Sequence, residues 1–349
     1  MAAPRERESQ LSRLARRGFA DPAAAALRLA GPEFVDLAAD PVFLDSLGRC
    51  ADPDTALGSL SRLLAADAAG DPKVLRATLA ASQPLRGRLL GVLGVSSALG
   101  DFLTRHPDAW HVLDEFEPEE LTPEPEYLRR TLLAAVGADP ADAEPRAGLT
   151  GAAAADALRV AYRRGLLQIT ARDVAGNAPM AEVGRELSDL AGATLEAALA
   201  VARAELPADA APCRLAVVGM GKCGARELNY VSDVDVVFVA APGRLASGIE
   251  ADEYEALRTG TQLASGMMRL CGEVTAEGSI WQVDAALRPE GKSGPLVRTL
   301  ASHAVYYQRW AKTWEFQALL KARPIAGDHA LGEAYVAAVS PLIWSAVER

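Results

Sequence analysis

Two aspartates one residue apart, Asp233 and Asp235, stand at the head of the apolar run Val236-Val237-Phe238-Val239. Residues i and i+2 of an extended chain point to one face, so the two carboxylates project together. Strand starts also use Asp as a turn-former, in which case such a pair is simply solvated. The run behind this pair is wholly apolar, however, which predicts a strand in the sheet interior. Like charges at the end of a buried strand are costly unless a cation compensates them. Magnesium suits the position, because it prefers oxygen ligands and keeps part of its shell for water and phosphate. Two such ions about 4 Å apart could hold both the attacking and the leaving oxygen of a phosphoryl group. Asp284, inside a predicted strand over 280–287, offers a third carboxylate from a neighbouring strand.

Upstream, Leu215-Ala216-Val217-Val218 predicts another buried strand, broken by Gly219 and Gly221 in a turn whose backbone N–H groups suit phosphate. Gly219-Met220-Gly221-Lys222-Cys223-Gly224 also satisfies G-x-G-x-x-G, the dinucleotide pattern. That reading fails twice. A crossover helix needs about a dozen residues or more, and too few separate Gly224 from the next strand. The ribose-binding acid belongs at the end of that strand, whereas here the acids open it. Gly291-Lys292-Ser293 imitates the end of a P-loop, but Ala286 stands where the first glycine is required.

Lys222, Arg288, Lys292, Lys321 and Arg323 are the cations around the acid-bearing elements and are candidate phosphate contacts, although each alone fits a surface charge. Tyr306, Tyr307, Trp310 and Trp314 read as helix-packing aromatics. The four cysteines (Cys50, Cys213, Cys223, Cys271) and four histidines (His106, His111, His303, His329) are scattered without zinc spacing. A reduced, cytoplasmic protein is the simple expectation.

The elements that position these residues are mostly helical. Half of the 349 residues are hydrophobic, dominated by Ala and Leu, while aromatics make up only 5%, which favours helices over sheets. A net charge of −10 argues against a broad nucleic-acid surface. No signal peptide and no apolar run of about 18 residues is visible, so a soluble protein is expected. Asp21-Pro22, Gly31-Pro32, Asp40-Pro41, Asp52-Pro53, Asp71-Pro72 and Gln83-Pro84 predict starts of short helices, since proline suits a first turn and a preceding Asp caps it. The helix after Gln83 is expected to run on through Ser96 to His106-Pro107. Longer helices are expected over 152–174 and 180–205, then over 249–271. From about 300 helices resume, carrying Trp310, Trp314, Lys321 and Arg323, and the pattern is still helical at the last residue, as in a piece of something longer. The expected fold class is α+β and mostly helical: a helical region over 1–206 packed on a small mixed-sheet core over 207–299, followed by helices over 300–349.

The run GMGKCGARELNYVSDVDVVFV (219–239) resembles the G-x-G-K-x-G-x-x-E-L-N-x-x-S-D-x-D signature of the glutamine synthetase adenylyltransferase/deadenylylase family, two-headed nucleotidyltransferases related to the DNA polymerase β superfamily. The resemblance extends through VDAALRPEGKSGPLV (283–297) and YYQRWAKTWEFQALLKARPIAGD (306–328), and more weakly through SSALGDFLTRHPD (96–108) and RRGLLQITARDVAG (163–176). It implies a nucleotidyltransferase core in which Asp233, Asp235 and Asp284 hold Mg2+, as two ions. Gly219, Gly221 and Lys222 would surround phosphate, with Arg288 and Lys321 nearby; Ser232, Lys292 and Arg323 remain candidate contacts read from the sequence. It also implies that the chain matches the half that removes AMP from a tyrosine of glutamine synthetase. The other half transfers AMP from ATP, and a PII signalling protein sets the balance. Adenine nucleotide and inorganic phosphate are then the small substrates, with neither nucleic acid nor membrane as partner. The family's D-x-R-L-R-P reads Asp284-Ala285-Ala286-Leu287-Arg288-Pro289 here, so one arginine is replaced by Ala286. That departure keeps two alternatives open: adenylyl transfer, and a catalytically silent module that binds glutamine synthetase or PII.

Overall fold

The computed structural model describes residues 4–66, 72–114, 124–176 and 178–347. The chain divides into two compact units, Met1–Leu121 with Arg163–Met180, and Thr122–Tyr162 with Ala181–Arg349. The first holds helices α1 (Pro4–Ala15), α2 (Pro22–Leu29), α3 (Pro41–Leu47), α4 (Pro53–Ala65), α5 (Pro72–Ala81), α6 (Gln83–Val95) and α7 (Ser97–Arg105). The proline rule explains most of these starts. The carboxylates of Asp21, Asp40 and Asp52 accept the backbone N–H groups of Ala24, Val42 and Thr55, each ahead of a proline at the first helical position. Pro32 opens only a short 3-10 turn, and Asp71 lies outside the described residues. The helix expected to cross Ser96 is in fact two, because the Ser96 hydroxyl accepts the Leu99 N–H and caps α7 afresh.

The second unit contains α8 (Pro125–Ala135), the part of α9 (Gly151–Val174) up to Tyr162, and α10 (Met180–Ala204). It then forms a five-stranded mixed sheet: β1 (Cys213–Gly219), β2 (Val234–Pro242), β3 (Val283–Asp284), β4 (Val297–Thr299) and β5 (Arg323–Gly327). β1 lies between β2 and β5, antiparallel to both. β3 and β4 both pair with β2 in parallel, β3 at its start and β4 near its end. Helices α11 (Gly221–Gly224), α12 (Glu253–Gly272), α13 (Leu300–Arg309), α14 (Thr313–Leu319) and α15 (His329–Val347) complete the unit.

The sheet is covered on both faces. Ala216, Val218, Val237 and Val239 pack with Tyr307, Leu319, Leu331, Tyr335 and Val339 of α13–α15. On the other face, Gly260 brings α12 close enough that a Cβ there would sit 3.3 Å from Ala240 and 3.4 Å from Val297, and Gly192 does the same for α10 against the Ile325 carbonyl at 3.0 Å. β2 therefore lies inside the sheet with apolar layers on either side, as its sequence predicts.

Three expectations are corrected. The predicted strand over 280–287 pairs only at Val283–Asp284. The Asp284 carboxylate accepts the Ala286 N–H at 2.7 Å, an Asx turn that bends the chain out of the ladder. Lys321 and Arg323 are not helical, since α14 ends at Leu319 and Arg323 opens β5. Of the four aromatics, Tyr307 is buried, but Trp310 and Trp314 are 62% and 50% exposed.

A candidate metal centre at paired strand starts

β1 and β2 are joined by the tight segment 220–233, and its first turn is where glycine matters. Gly221 has φ +52°, and a Cβ on it would lie 2.7 Å from Asp235 Oδ2. Gly224 has no room for a side chain either, because a Cβ would meet the Lys321 carbonyl oxygen. Gly219 remains in the β1 ladder opposite Val236. The turn itself is made by Gly221, whose bare backbone lies against one of the acids. The Met220 N–H donates to the Asp235 carbonyl at 2.9 Å, tying the turn to the start of β2.

Asp235 and Asp284 are direct register partners across the parallel β2–β3 pair. Asp233 precedes the first ladder residue, Val234. One carboxylate oxygen from each of Asp233, Asp235 and Asp284 lies within 4.8 Å of the other two. Asp233 is exposed and the other pair half-buried, so the cluster opens outward. Among the described residues, no lysine, arginine or histidine forms an ion pair with any of the three. Burial raises the Asp235 carboxyl above its ordinary range, the charges of Asp233 and Asp284 raise it further, and Lys222 opposes them. Three converging carboxylates without a basic partner, reached by solvent on one side, fit a hard divalent cation that keeps open positions. The donor set suits Mg2+ and contains no sulfur or imidazole that would select zinc.

The cations divide into groups. Arg288 and Lys292 line a cleft of about 600 Å³ together with Asp233, Asp284, Ser265 and Gln282. The Arg288 guanidinium donates to the Ala285 carbonyl at 2.8 Å and to the Gly294 carbonyl at 3.2 Å, so it also closes its own loop. Lys222 is exposed, with Nζ donating to Asn229 Oδ1 at 3.1 Å. Lys321 pairs with Glu227 at 2.7 Å. Arg323 donates to the carbonyls of Gly224 and Cys223 at 3.1 Å, securing the end of α11, and lines a separate cavity between α10 and β5. Ser232, half-buried, directly precedes Asp233. The structure thus brings Arg288 and Lys292 to the acids and sets Lys321 and Arg323 to bracing the glycine turn. The partners Glu227 and Asn229 were not singled out from sequence, although both lie in the ELN segment that carries the resemblance.

The sequence matches the family described as glutamate-ammonia ligase adenylyltransferase over residues 86–338. It is 56% identical over 350 residues to a bifunctional glutamine synthetase adenylyltransferase/adenylyl-removing enzyme of Streptomyces avermitilis, covering 100% of this chain and 33% of that protein. A relative of the same description from Streptomyces coelicolor is 56% identical over 348 residues, covering 99% and 33%. One from Mycolicibacterium smegmatis is 49% identical over 311 residues, covering 87% and 29%. The chain spans about a third of the length of these curated relatives. With a match that takes in both strands carrying the three acids, the chain belongs to the glutamate-ammonia ligase adenylyltransferase family.

Proposed function

We propose that this chain is a Mg2+-dependent nucleotidyl-transfer unit that removes AMP from an adenylylated tyrosine of glutamine synthetase by phosphorolysis, in control of nitrogen assimilation. The observation that carries the reading is the convergence of Asp233, Asp235 and Asp284, one oxygen from each within 4.8 Å of the others. Inorganic phosphate would form a bond from one of its oxygens to the adenylyl phosphorus while the bond to the tyrosyl oxygen breaks. ADP leaves, and the tyrosyl oxygen takes up a proton. Bound at the three acids, Mg2+ would supply charge neutralisation for the phosphoryl oxygens and the departing tyrosyl oxygen.

The chain's own residues do the positioning. The shared register sets Asp284 opposite Asp235, and Asp233 is carried beside them by its place at the mouth of β2. Arg288 and Lys292 on the wall shared with Asp233 and Asp284 give phosphate oxygens a cationic side. The charge of Lys222, on the glycine turn, favours the ionised form of Asp235. No side-chain nucleophile is required, since both reacting groups come with the substrates.

The relatives' names carry both activities, and transfer of AMP from ATP to the tyrosine is the alternative reading of the same three acids. A PII protein as regulator belongs to the same reading. Incubation of the chain with AMP-modified glutamine synthetase, Mg2+ and phosphate is expected to yield ADP and unmodified enzyme. Pyrophosphate released from ATP with unmodified glutamine synthetase would instead assign adenylyl transfer. Neither product, together with retained binding of glutamine synthetase, would leave a silent docking module.

A further inference from the structure

Asp284 is held in the cluster by little of its own strand. β3 has two residues, lies on the outer edge of β2 and pairs on one side only. A two-residue parallel ladder does not by itself fix a side chain to the tolerance that metal ligation needs. The Asx turn to Ala286 orients the carboxylate locally, and where the strand itself enters the sheet is set by the segment that delivers it, 273–282, which leaves the end of α12 and returns to β2.

That segment is gripped by one side chain. Arg159, on α9, is fully buried, with 0% of its surface exposed, and its guanidinium meets only backbone carbonyls among its hydrogen-bond partners. Nε donates to the Gly278 oxygen at 2.8 Å. Nη1 donates to the Ala155 oxygen at 2.8 Å, within its own helix. Nη2 donates to the Leu270 oxygen at 2.9 Å and also to the Glu273 oxygen. Four of the five N–H donors of the fork are thereby used, three of them on the two ends of one turn. The charge sits where the last carbonyls of α12 favour a cation. Below it, Thr275 and Gly278 bridge, the Ile280 N–H donates to the Cys271 oxygen at 3.1 Å, and the Gln282 oxygen accepts the Val234 N–H at 3.0 Å. Tyr162, one turn along α9 from Arg159, meets Trp281 edge-on with ring centroids 6.4 Å apart. The chain of contacts runs without a break from the guanidinium to Val283–Asp284.

We propose that Arg159 is the positioning residue for Asp284: by pinning Leu270, Glu273 and Gly278 together it sets where β3 enters the sheet, and with it the third carboxylate of the metal centre. This rests on the metal reading given above. A lysine cannot reproduce the grip, because one ammonium has neither the reach nor the planar fork to join both ends of the turn.

The test uses the full chain as wild type, Arg159→Lys, and Leu199→Ala, a buried α10 position that serves as a control for general loss of stability. Hydrogen exchange of the 280–284 amides is measured without metal, and Mn2+ binding is measured by titration, both well below every melting temperature. Arg159→Lys is expected to speed exchange of 280–284 at least tenfold over β1 and to weaken Mn2+ binding by about 10–100-fold. Leu199→Ala, at a comparable drop in melting temperature, is expected to change neither. Wild-type exchange at 280–284 in Arg159→Lys, or an equal change in the control, overturns the proposal. Should Arg159→Lys not fold, Tyr162→Leu loosens the same segment through Trp281, and unaltered exchange there overturns it equally. If wild type binds no Mn2+, the metal reading falls, while the exchange measurement still decides the clamp.

Discussion

At Asp235 burial and two neighbouring negative charges act in the same direction, and all three work against the ionised form that a metal needs. The fold accepts this cost in a defined way. Gly221 leaves the space beside Oδ2 empty of side-chain atoms, Lys222 supplies the one opposing charge resolved there, and Asp284 sits directly across the ladder. Replacing Asp235 by Asn keeps the shape and removes one of the three repelling charges. Two effects of opposite sign follow. On the proposed function, nucleotidyl transfer is expected to fall by more than about 100-fold, since one of the three proposed ligands is lost. In EDTA, the melting temperature of Asp235→Asn is expected to exceed that of wild type, because the cluster no longer concentrates charge. Product assays and parallel thermal melts read the two effects, and a variant less stable than wild type in EDTA would contradict the electrostatic account of the site.

At the level of elements, α13 lies over β2 with His303 as its innermost polar group. The ring is 1% exposed, its Nε2 lies 3.4 Å from the Phe238 oxygen, and Nδ1 has no hydrogen-bond partner among the described residues. Tyr307 stacks on it and Tyr335 meets it edge-on, and burial, with the Arg298 charge acting the same way, outweighs the Phe238 carbonyl and pushes its pKa down from 6.5 to about 4. The unfolded chain therefore takes up the proton first as pH falls. Stability is complete above about pH 6.5 and is lost between there and pH 4, on the order of 3 kcal/mol. Urea titrations across that window are expected to show the slope in wild type and a flatter one in His303→Gln; equal slopes would remove the histidine from the account. His303 also marks what the sequence does not reveal. It reads as one of four scattered histidines, and only the packing of α13 shows its burial. β1 and β2 were legible because long apolar runs are unambiguous, and the capped helix starts because Asp-Pro carries its own local chemistry. β3 and β5 were not. Two residues give no periodicity to bound a strand, and RPIAG carries at its second position, Pro324, a proline that demotes a strand, while its pairing with β1 is non-local. The side-by-side placing of Asp233 and Asp235 was legible for the same reason as β2, and the placement of Arg323 was hidden because it depends on β5.

For the whole molecule, the net charge of −10 and the closeness of three carboxylates have to be separated, because any cation relieves the first and only a specifically bound one relieves the second. No helix among the described residues is long and apolar enough to cross a membrane. All the acids and the cations that line their cleft belong to the second unit. A ligand that binds the folded state alone stabilises it by about 2.7 kcal/mol at a hundredfold excess over its Kd. For a unit of this size, that corresponds to a rise in melting temperature of about 5–10 °C. The tryptophans allow the unit to be observed by itself. Trp110 is the one in the first unit, so in Trp110→Phe the remaining four, Trp281, Trp310, Trp314 and Trp344, all report from the second. In that background, Mg2+ is expected to raise the fluorescence melting temperature by the stated amount, and EDTA to reverse it. NaCl at matched ionic strength, which screens the overall charge without filling the cluster, is expected to give a much smaller shift. Adding Asp284→Asn should abolish the difference between the two salts. An equal shift with NaCl, or one that survives Asp284→Asn, would mean that the ion acts on the general charge of the protein and that the three aspartates do not hold it.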